Sequence, residues 1–170
     1  MKLGITIIFA VALAASAVSA QNISRKILGI WQVAEIVTTG NGAKTIEKPQ
    51  PGLMIFGRKY YSIMYVGSDK ERPIYAGGAP TTEEKVAAFD SLLANAGVYE
   101  IAGSTITIRP TVARNPGFSG GGFASYKVRV EKNTLWLTNR NSDFSFRVGT
   151  NIVALTGPAS ETTIKLTRLE

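Results

Sequence analysis

The sequence contains neither cysteine nor histidine among its 170 residues. Without cysteine there is no disulfide, no thiol nucleophile and no thiol redox centre. Without histidine the Ser-His-Asp and Cys-His catalytic systems are excluded, and so are zinc sites built from the usual ligand types. The hydrophobic core alone must therefore hold the fold together, and we expect neither a metal nor a cofactor.

Basic residues outnumber acidic ones, 19 to 12, and give a formal net charge of +7. Such an excess can favour nucleic acids or other polyanions. Here the basic residues occur singly or in pairs such as Arg25-Lys26 and Arg58-Lys59, and several have acidic neighbours. Because no basic stretch is interleaved with aromatic residues, we expect a solvated basic surface and no nucleic-acid partner.

The first twenty residues have the pattern of a secretory signal peptide. Lys2 provides a basic start, an apolar run extends from Ile5 to Ala15, and small residues at 17–20 end the segment. The apolar run is shorter than the roughly 20 residues that a membrane-spanning helix needs. The pattern predicts cleavage before Gln21, export to the periplasm or the extracellular space, and no integral membrane span. Residues 21–170 then form a single domain.

Most of the remaining chain alternates between apolar and polar residues, as half-buried strands do. Turn-forming clusters such as residues 38–42 and 102–104 separate the alternating segments. The predicted strands are Trp31–Val37, Leu53–Phe56, Tyr60–Val66, Val98–Ile101, Thr105–Arg109, Ser125–Val130, Leu135–Asn139 and Thr163–Leu169. About eight short strands predict a mainly β fold, either an antiparallel up-and-down barrel or a sandwich.

One segment is predicted to form an amphipathic helix. Thr81 and Glu84 have the spacing of a capping box, and Gly97 would end the helix. Apolar residues recur at helical spacing at Val86, Phe89, Leu92 and Leu93. We expect this apolar stripe to pack into the core at one end of the barrel.

Two further segments are predicted to lie near the open end of the barrel. The glycine-rich residues 115–123 are followed by a strand, whereas a phosphate-binding loop leads into a helix. We expect a mobile loop with Phe118 and Phe123 at its tip. Residues 141–160 contain alternating apolar positions and are predicted to form an extra hairpin or a lid.

Short motifs at both ends and in the middle of the domain carry a family resemblance. Residues 29–31, with sequence Gly-Ile-Trp, and Arg168 are similar to the two ends of lipocalin-superfamily barrels. Residues 52–56, 61–64 and 82–85, and the segment from 87–90 on to 97–101, resemble the bacterial lipocalin-like domain family. The resemblance implies a calyx-like barrel that binds a small ligand. Because barrel closure would bring the chain ends together, we expect Arg168 to pack over the Trp31 indole.

The candidate ligand-binding residues are those expected to face the barrel interior. If Trp31 faces inward, alternation places Val33, Glu35 and Val37 on the same face, and a slip of one residue would reverse this. Buried tyrosines combine an apolar ring with a hydroxyl that needs a partner, which favours ligand binding over a simple core. The predicted set is Glu35, Tyr61, Tyr65, Tyr99, Arg109, Tyr126 and Val128.

Glu35 and Arg109 are the two charged members of this set. A buried carboxylate at Glu35 needs a polar partner and could orient a ligand or accept a proton. Arg109 ends a strand beside Pro110. The alternative for Glu35 is a charge that reaches solvent at the mouth of the barrel.

The leading functional hypothesis is an exported lipocalin-like protein that binds a small, mostly apolar or amphipathic molecule in its barrel. One alternative is a cofactor-free enzyme of the cyclase, isomerase or lyase kind, in which Tyr or Glu transfers a proton in the same cavity. Another is a structural envelope protein with a filled barrel. Binding leads because the sequence contains no strong catalytic constellation.

Overall fold

The computed structural model describes residues 23–72 and 74–170, and the predicted signal peptide lies outside these residues. The strands are β1 (Gly29–Gly40), β2 (Lys44–Ile46), β3 (Leu53–Phe56), β4 (Tyr60–Val66), β5 (Leu92–Ala102), β6 (Thr105–Ala113), β7 (Phe123–Glu131), β8 (Thr134–Arg140), β9 (Phe144–Val148), β10 (Asn151–Ala154) and β11 (Ser160–Arg168). The helices are α1 (Thr82–Ser91) and α2 (Pro116–Ser119), with a 3-10 turn at Asn141–Asp143 and a helical turn at 23–26.

Eight antiparallel strands close into a barrel in the order β1-β3-β4-β5-β6-β7-β8-β11, and β11 returns to β1. The closing pair extends from Trp31 opposite Arg168 to Gly40 opposite Ser160, with one shift of register between Val33 and Glu35. β2 pairs with the distal part of β1, and the β9-β10 hairpin extends from β7. The structure confirms the predicted eight-stranded barrel and the extra hairpin within residues 141–160.

The two ends of the barrel differ in their connections. At the end where β1 begins and β11 finishes, called the closed end, the turns are short and residues 23–28 lie against the barrel. At the opposite end, called the open end, the connections are longer. They contain β2, α1, α2 and the β9-β10 hairpin.

Trp31 and Arg168 fix the closed end. The fully buried Trp31 donates a hydrogen bond from Nε1 to the carbonyl oxygen of Ile27 at 2.7 Å. The Arg168 guanidinium lies 4.1 Å from the Trp31 ring centroid, which confirms the expected packing. Arg168 also donates to the carbonyl oxygens of Leu28, at 2.6 Å, and Lys26. One side chain thus links the last strand to the segment that precedes the first.

Apolar side chains fill the closed half of the barrel. Those with almost no exposed surface include Trp31, Ile27, Met54, Ile106, Ile108, Leu135, Leu137 and Leu166. Each such side chain contributes about 1.5–3 kcal/mol when it is removed from water. This layered core is sufficient to explain how a chain without disulfides maintains a closed sheet.

The prediction that Glu35 and Val37 face the interior is wrong. A bulge between Val33 and Glu35 shifts the pairing of β1 with β11, so the alternation reverses and Ile36 becomes buried. Glu35 lies on the outer surface, where its carboxylate is 4.0 Å from Lys165 Nζ. The expected period of two therefore holds on either side of the bulge but not across it.

The predicted helix exists, but it is shorter and more exposed than expected. Its capping box is confirmed: Thr81 Oγ1 accepts from the Glu84 amide at 3.2 Å, and Glu84 Oε2 accepts from the Thr81 amide at 2.8 Å. The helix ends at Ser91 because the next residues pair with β4 as the start of β5. The expectation of a core-facing stripe is wrong, since Val86 and Phe89 are 54% and 51% exposed.

We expect Arg168→Ala to lower the free energy of unfolding by about 2–3 kcal/mol, because it removes a cation–π contact and charge-assisted hydrogen bonds. Arg129→Ala is the matched control. Arg129 also stacks on an indole, 3.6 Å from the Trp136 centroid, but on the outer face and 58% exposed beside Glu131. Its loss should cost less than about 1 kcal/mol. Equal losses in chemical denaturation would contradict the closing role of Arg168.

Candidate functional site

The inner face of the barrel becomes polar and aromatic toward the open end. Tyr61, Tyr65 and Tyr126, together called the tyrosine layer, lie on this inner face; Tyr65 is near the open end of β4, whereas Tyr61 begins next to the closed-end turn and extends its hydroxyl to Asn95. Tyr61 Oη donates to Asn95 Oδ1 at 2.7 Å, and both residues are buried. Gly52 permits the packing of Tyr65, because a Cβ atom at this position would lie 2.3 Å from Tyr65 Cβ.

Burial holds the tyrosine layer in its neutral form. Desolvation raises the pKa of Tyr65 to about 12 and raises the pKa values of Tyr61 and Tyr126 as well. For Tyr126, the proximity of Tyr65 and Tyr61 raises the pKa further. At neutral pH these groups are therefore O–H donors and acceptors, and they do not act as phenolate bases.

Three phenylalanines cover one side of the open end. Asn115 caps α2 through a hydrogen bond from the Gly117 amide at 2.9 Å, and α2 turns Phe118 into the barrel mouth. There it meets Phe144 and Phe146 from β9, with centroid distances of 6.3 and 5.2 Å. The set of Phe118, Phe144 and Phe146 is called the phenylalanine cluster.

Residues 115–123 thus differ from the predicted glycine-rich loop, because α2 and the first residue of β7 lie within them. Phe118 is buried in the cluster, whereas Phe123 points outward beneath the Arg109 guanidinium, 5.4 Å from its ring centroid. The two phenylalanines therefore do not form a shared tip. Only one of them reaches the interior.

A recess of about 120 Å³ lies between the phenylalanine cluster and Tyr126. Its walls include Asn95, Tyr126, Arg114 and the three phenylalanines. Among the described residues, Tyr126 Oη and Asn95 Nδ2 have no hydrogen-bond partner. The recess therefore combines an aromatic wall with polar hydrogens that are free to bind a ligand.

Arg114 provides the charge at the rim of the recess. Its Nη1 donates to the carbonyl oxygen of Phe89, and its guanidinium carbon lies 4.6 Å from the Phe89 ring centroid. The Asp90 carboxylate is 4.0 Å away and 70% exposed, whereas the Arg114 side chain is 28% exposed. The guanidinium is thus fixed against the end of α1 and only weakly neutralised by an exposed carboxylate.

A larger groove of about 540 Å³ lies outside the barrel, where Leu53, Met64 and Leu92 form an apolar floor. Arg72, in the connection between β4 and α1, lies at its edge and ties this connection to the end of α1 by donating to Ser91 Oγ at 3.1 Å and to the Ala88 carbonyl oxygen at 3.0 Å. This groove is separate from the phenylalanine cluster.

Of the seven predicted site residues, Tyr126 is the one that lines the recess; Tyr61 and Tyr65 lie near it, and Tyr65 also borders the outer groove. Val128 is buried deeper in the core, opposite Leu137. The other three residues lie elsewhere. Tyr99 is at the closed end, where its hydroxyl donates to the Gly57 carbonyl oxygen at 2.6 Å.

Glu35 and Arg109 lie on the outside of the barrel, away from the recess. Glu35 faces Lys165, and Arg109 Nε lies 3.4 Å from Glu100 Oε1. Both are surface ion pairs, which contribute little to stability and leave the interior uncharged at these positions.

Sequence reasoning missed Asn95 and Arg114 as site residues. Asn95 was assigned to the end of the helix, although residues 93–101 also fit a strand on which Asn95 shares the inward face with Tyr99. That alternation was the available signal. The sequence contains no comparable signal for Arg114, because its position depends on a bulge in β6 opposite Ala96 and Gly97.

Comparisons of the chain with protein-family models, curated proteins and solved structures found no match. Within residues 23–72 and 74–170, no group of three or more acidic side chains could hold a metal ion. No helix in this part of the chain is both long and apolar enough to span a bilayer.

Asn139 provides a test of the polar inner face at the open end. Its side chain is 4% exposed on β8, and Nδ2 has no hydrogen-bond partner among the described residues. Because an unsatisfied buried donor costs about 1–3 kcal/mol, Asn139→Leu should raise the free energy of unfolding by about 1–2 kcal/mol. Asn95→Leu, which breaks the bond to Tyr61, should lower it. Similar destabilisation of both variants would contradict this assignment.

Proposed function

We propose that the protein binds a small, mostly apolar ligand in the recess at the open end. The recess itself is the observation that supports this proposal, because the closed half of the barrel is filled by side chains. An apolar cavity of about 150 Å³ holds a benzene molecule in another protein. The volume of about 120 Å³ therefore suits one ring or a short branched chain, with the rest of the ligand at the mouth.

The walls of the recess offer a ligand two kinds of favourable contact. The phenylalanine cluster removes the apolar part of the ligand from water, at about 25 cal/mol for each Å² buried. Tyr126 Oη and Asn95 Nδ2 can donate hydrogen bonds and so orient a polar end. After the cost of association is subtracted, we expect dissociation constants between about 1 µM and 1 mM.

The two alternatives from the sequence receive less support. An enzyme that used Glu35 as a proton acceptor would need this residue inside the barrel, and it lies outside. The tyrosine layer remains protonated at neutral pH and cannot supply a phenolate base. A filled-barrel structural protein would agree with the closed half of the molecule but not with the recess.

We also propose that the protein is exported, as a lipocalin-like protein of the periplasm or the extracellular space, on the basis of the pattern in residues 1–20. We expect the intact mass of protein from its native host to correspond to a chain that starts at Gln21. A mass that includes the first twenty residues would contradict export by cleavage.

The binding proposal is tested by titrating the protein with aromatic acids, short fatty acids and isoprenoid alcohols, followed by heteronuclear NMR. We expect shifts at residues around the recess, and at least about tenfold weaker binding in Ala113→Leu, which fills the space. Tyr126→Ala should also weaken binding. Lys127→Ala is the matched control. The Lys127 side chain follows Tyr126 in the sequence but points outward, so its removal should leave the affinity unchanged. Binding that is insensitive to Ala113→Leu would overturn the proposed site.

A further inference from the structure

We infer that the ligand of the recess is a small aromatic monocarboxylate, whose ring lies against the phenylalanine cluster and whose carboxylate pairs with Arg114 at the rim. This inference rests on the proposed ligand site and specifies the chemical class that the site selects. Three features of the described residues support it: the sign of the local charge, the kinds of free hydrogen-bonding group, and the way Arg114 is held.

The local charge favours an anion. Among the described residues that line the recess, Arg114 is the one charged side chain. Asp90, the nearest carboxylate to the guanidinium, is 4.0 Å away and largely exposed to water, so solvent screens most of its effect. A carboxylate at the rim would meet a partly desolvated positive charge, and an ammonium group would meet repulsion.

Apart from the Tyr126 hydroxyl, which can donate or accept, the free polar side-chain groups of the recess are N–H donors. Of the five N–H groups of Arg114, one bonds to the Phe89 carbonyl oxygen. Asn95 has its carbonyl oxygen occupied by Tyr61, which leaves its N–H groups. The side-chain oxygen of Asn115 is likewise occupied, by the Gly117 amide. Such a set matches a head group with several acceptor oxygens and no hydrogen, which describes a carboxylate.

Arg114 is positioned before any ligand arrives. Its guanidinium stacks on Phe89 and bonds to the main chain of the last turn of α1, so little rotamer freedom remains to be lost on binding. Arg72 offers an instructive comparison. It fastens the same helix through the Ala88 carbonyl oxygen and Ser91, but it faces the outer groove. Holding α1 is thus common to both arginines, whereas lining the recess is particular to Arg114.

The experiment compares phenylacetate with 2-phenylethanol, which has a similar ring and spacer but no charge. By calorimetry or NMR at low salt, the unmodified protein should bind phenylacetate at least about tenfold more tightly, since charge-assisted hydrogen bonds are the stronger kind. Arg114→Gln should abolish the preference and leave the affinity for 2-phenylethanol within about twofold. Arg72→Gln should leave both affinities unchanged, which controls for loosening of α1.

The outcomes separate the two proposals. Equal affinities of the unmodified protein for the acid and the alcohol would overturn the carboxylate inference but support the recess as a ligand site. Failure of both compounds, and of the wider ligand set, to bind would overturn the proposed function. Equal effects of Arg72→Gln and Arg114→Gln would show that Arg114 acts only by holding α1. The acid-alcohol comparison needs no variant, so it stands even if Arg114→Gln is unstable.

Discussion

The antiparallel pairing of β1 with β11 is the constraint on which the rest of the structure depends. In a chain without cysteine, this strand pair and the Arg168–Trp31 contact hold the first and last barrel strands together. Closure gives each barrel strand two neighbours and leaves none of the eight with a free edge. It also fixes the inward face of every strand, because a slip of one residue in any pair would turn that strand over.

Two bulges explain why the open half differs from the closed half. On β1, the bulge before Glu35 turns this charged side chain outward, and Ile36 takes the position on the inner face. On β6, Pro110 and Val112 pair with consecutive residues of β5, so Val112 turns outward and Arg114 follows at the rim. Proline lacks the N–H that a regular ladder would use, and a bulge tolerates it. The interior therefore changes from an apolar core to a recess with polar walls within one barrel.

The sequence allowed the fold to be predicted wherever structure depends on local pattern. The eight barrel strands, the capping box and the inward phase of Tyr61 and Tyr126 all follow from alternation or short spacing. The predictions were wrong where contacts between residues far apart in the sequence determine the local structure. Nothing in the residues around Glu35 reveals a bulge that is defined by its pairing with β11. Leu92 and Leu93 fit a helix as well as a strand, and pairing with β4 selects the strand. Alternation likewise predicted a hairpin or a lid within residues 141–160, and the structure shows a hairpin whose Phe144 and Phe146 contact Phe118.

The polar interior of the open half has a thermodynamic consequence for ligand binding. The Tyr126 hydroxyl and the Nδ2 group of Asn139 lower the stability of the folded chain, because each is removed from water without a hydrogen-bond partner among the described residues. The filled closed half offsets this cost. A ligand whose acceptor atoms bind the free donors recovers part of the lost stability. A purely apolar ligand binds less tightly, because it leaves the same donors unpaired. Selectivity at the recess therefore comes from groups that a protein optimised for stability alone would replace.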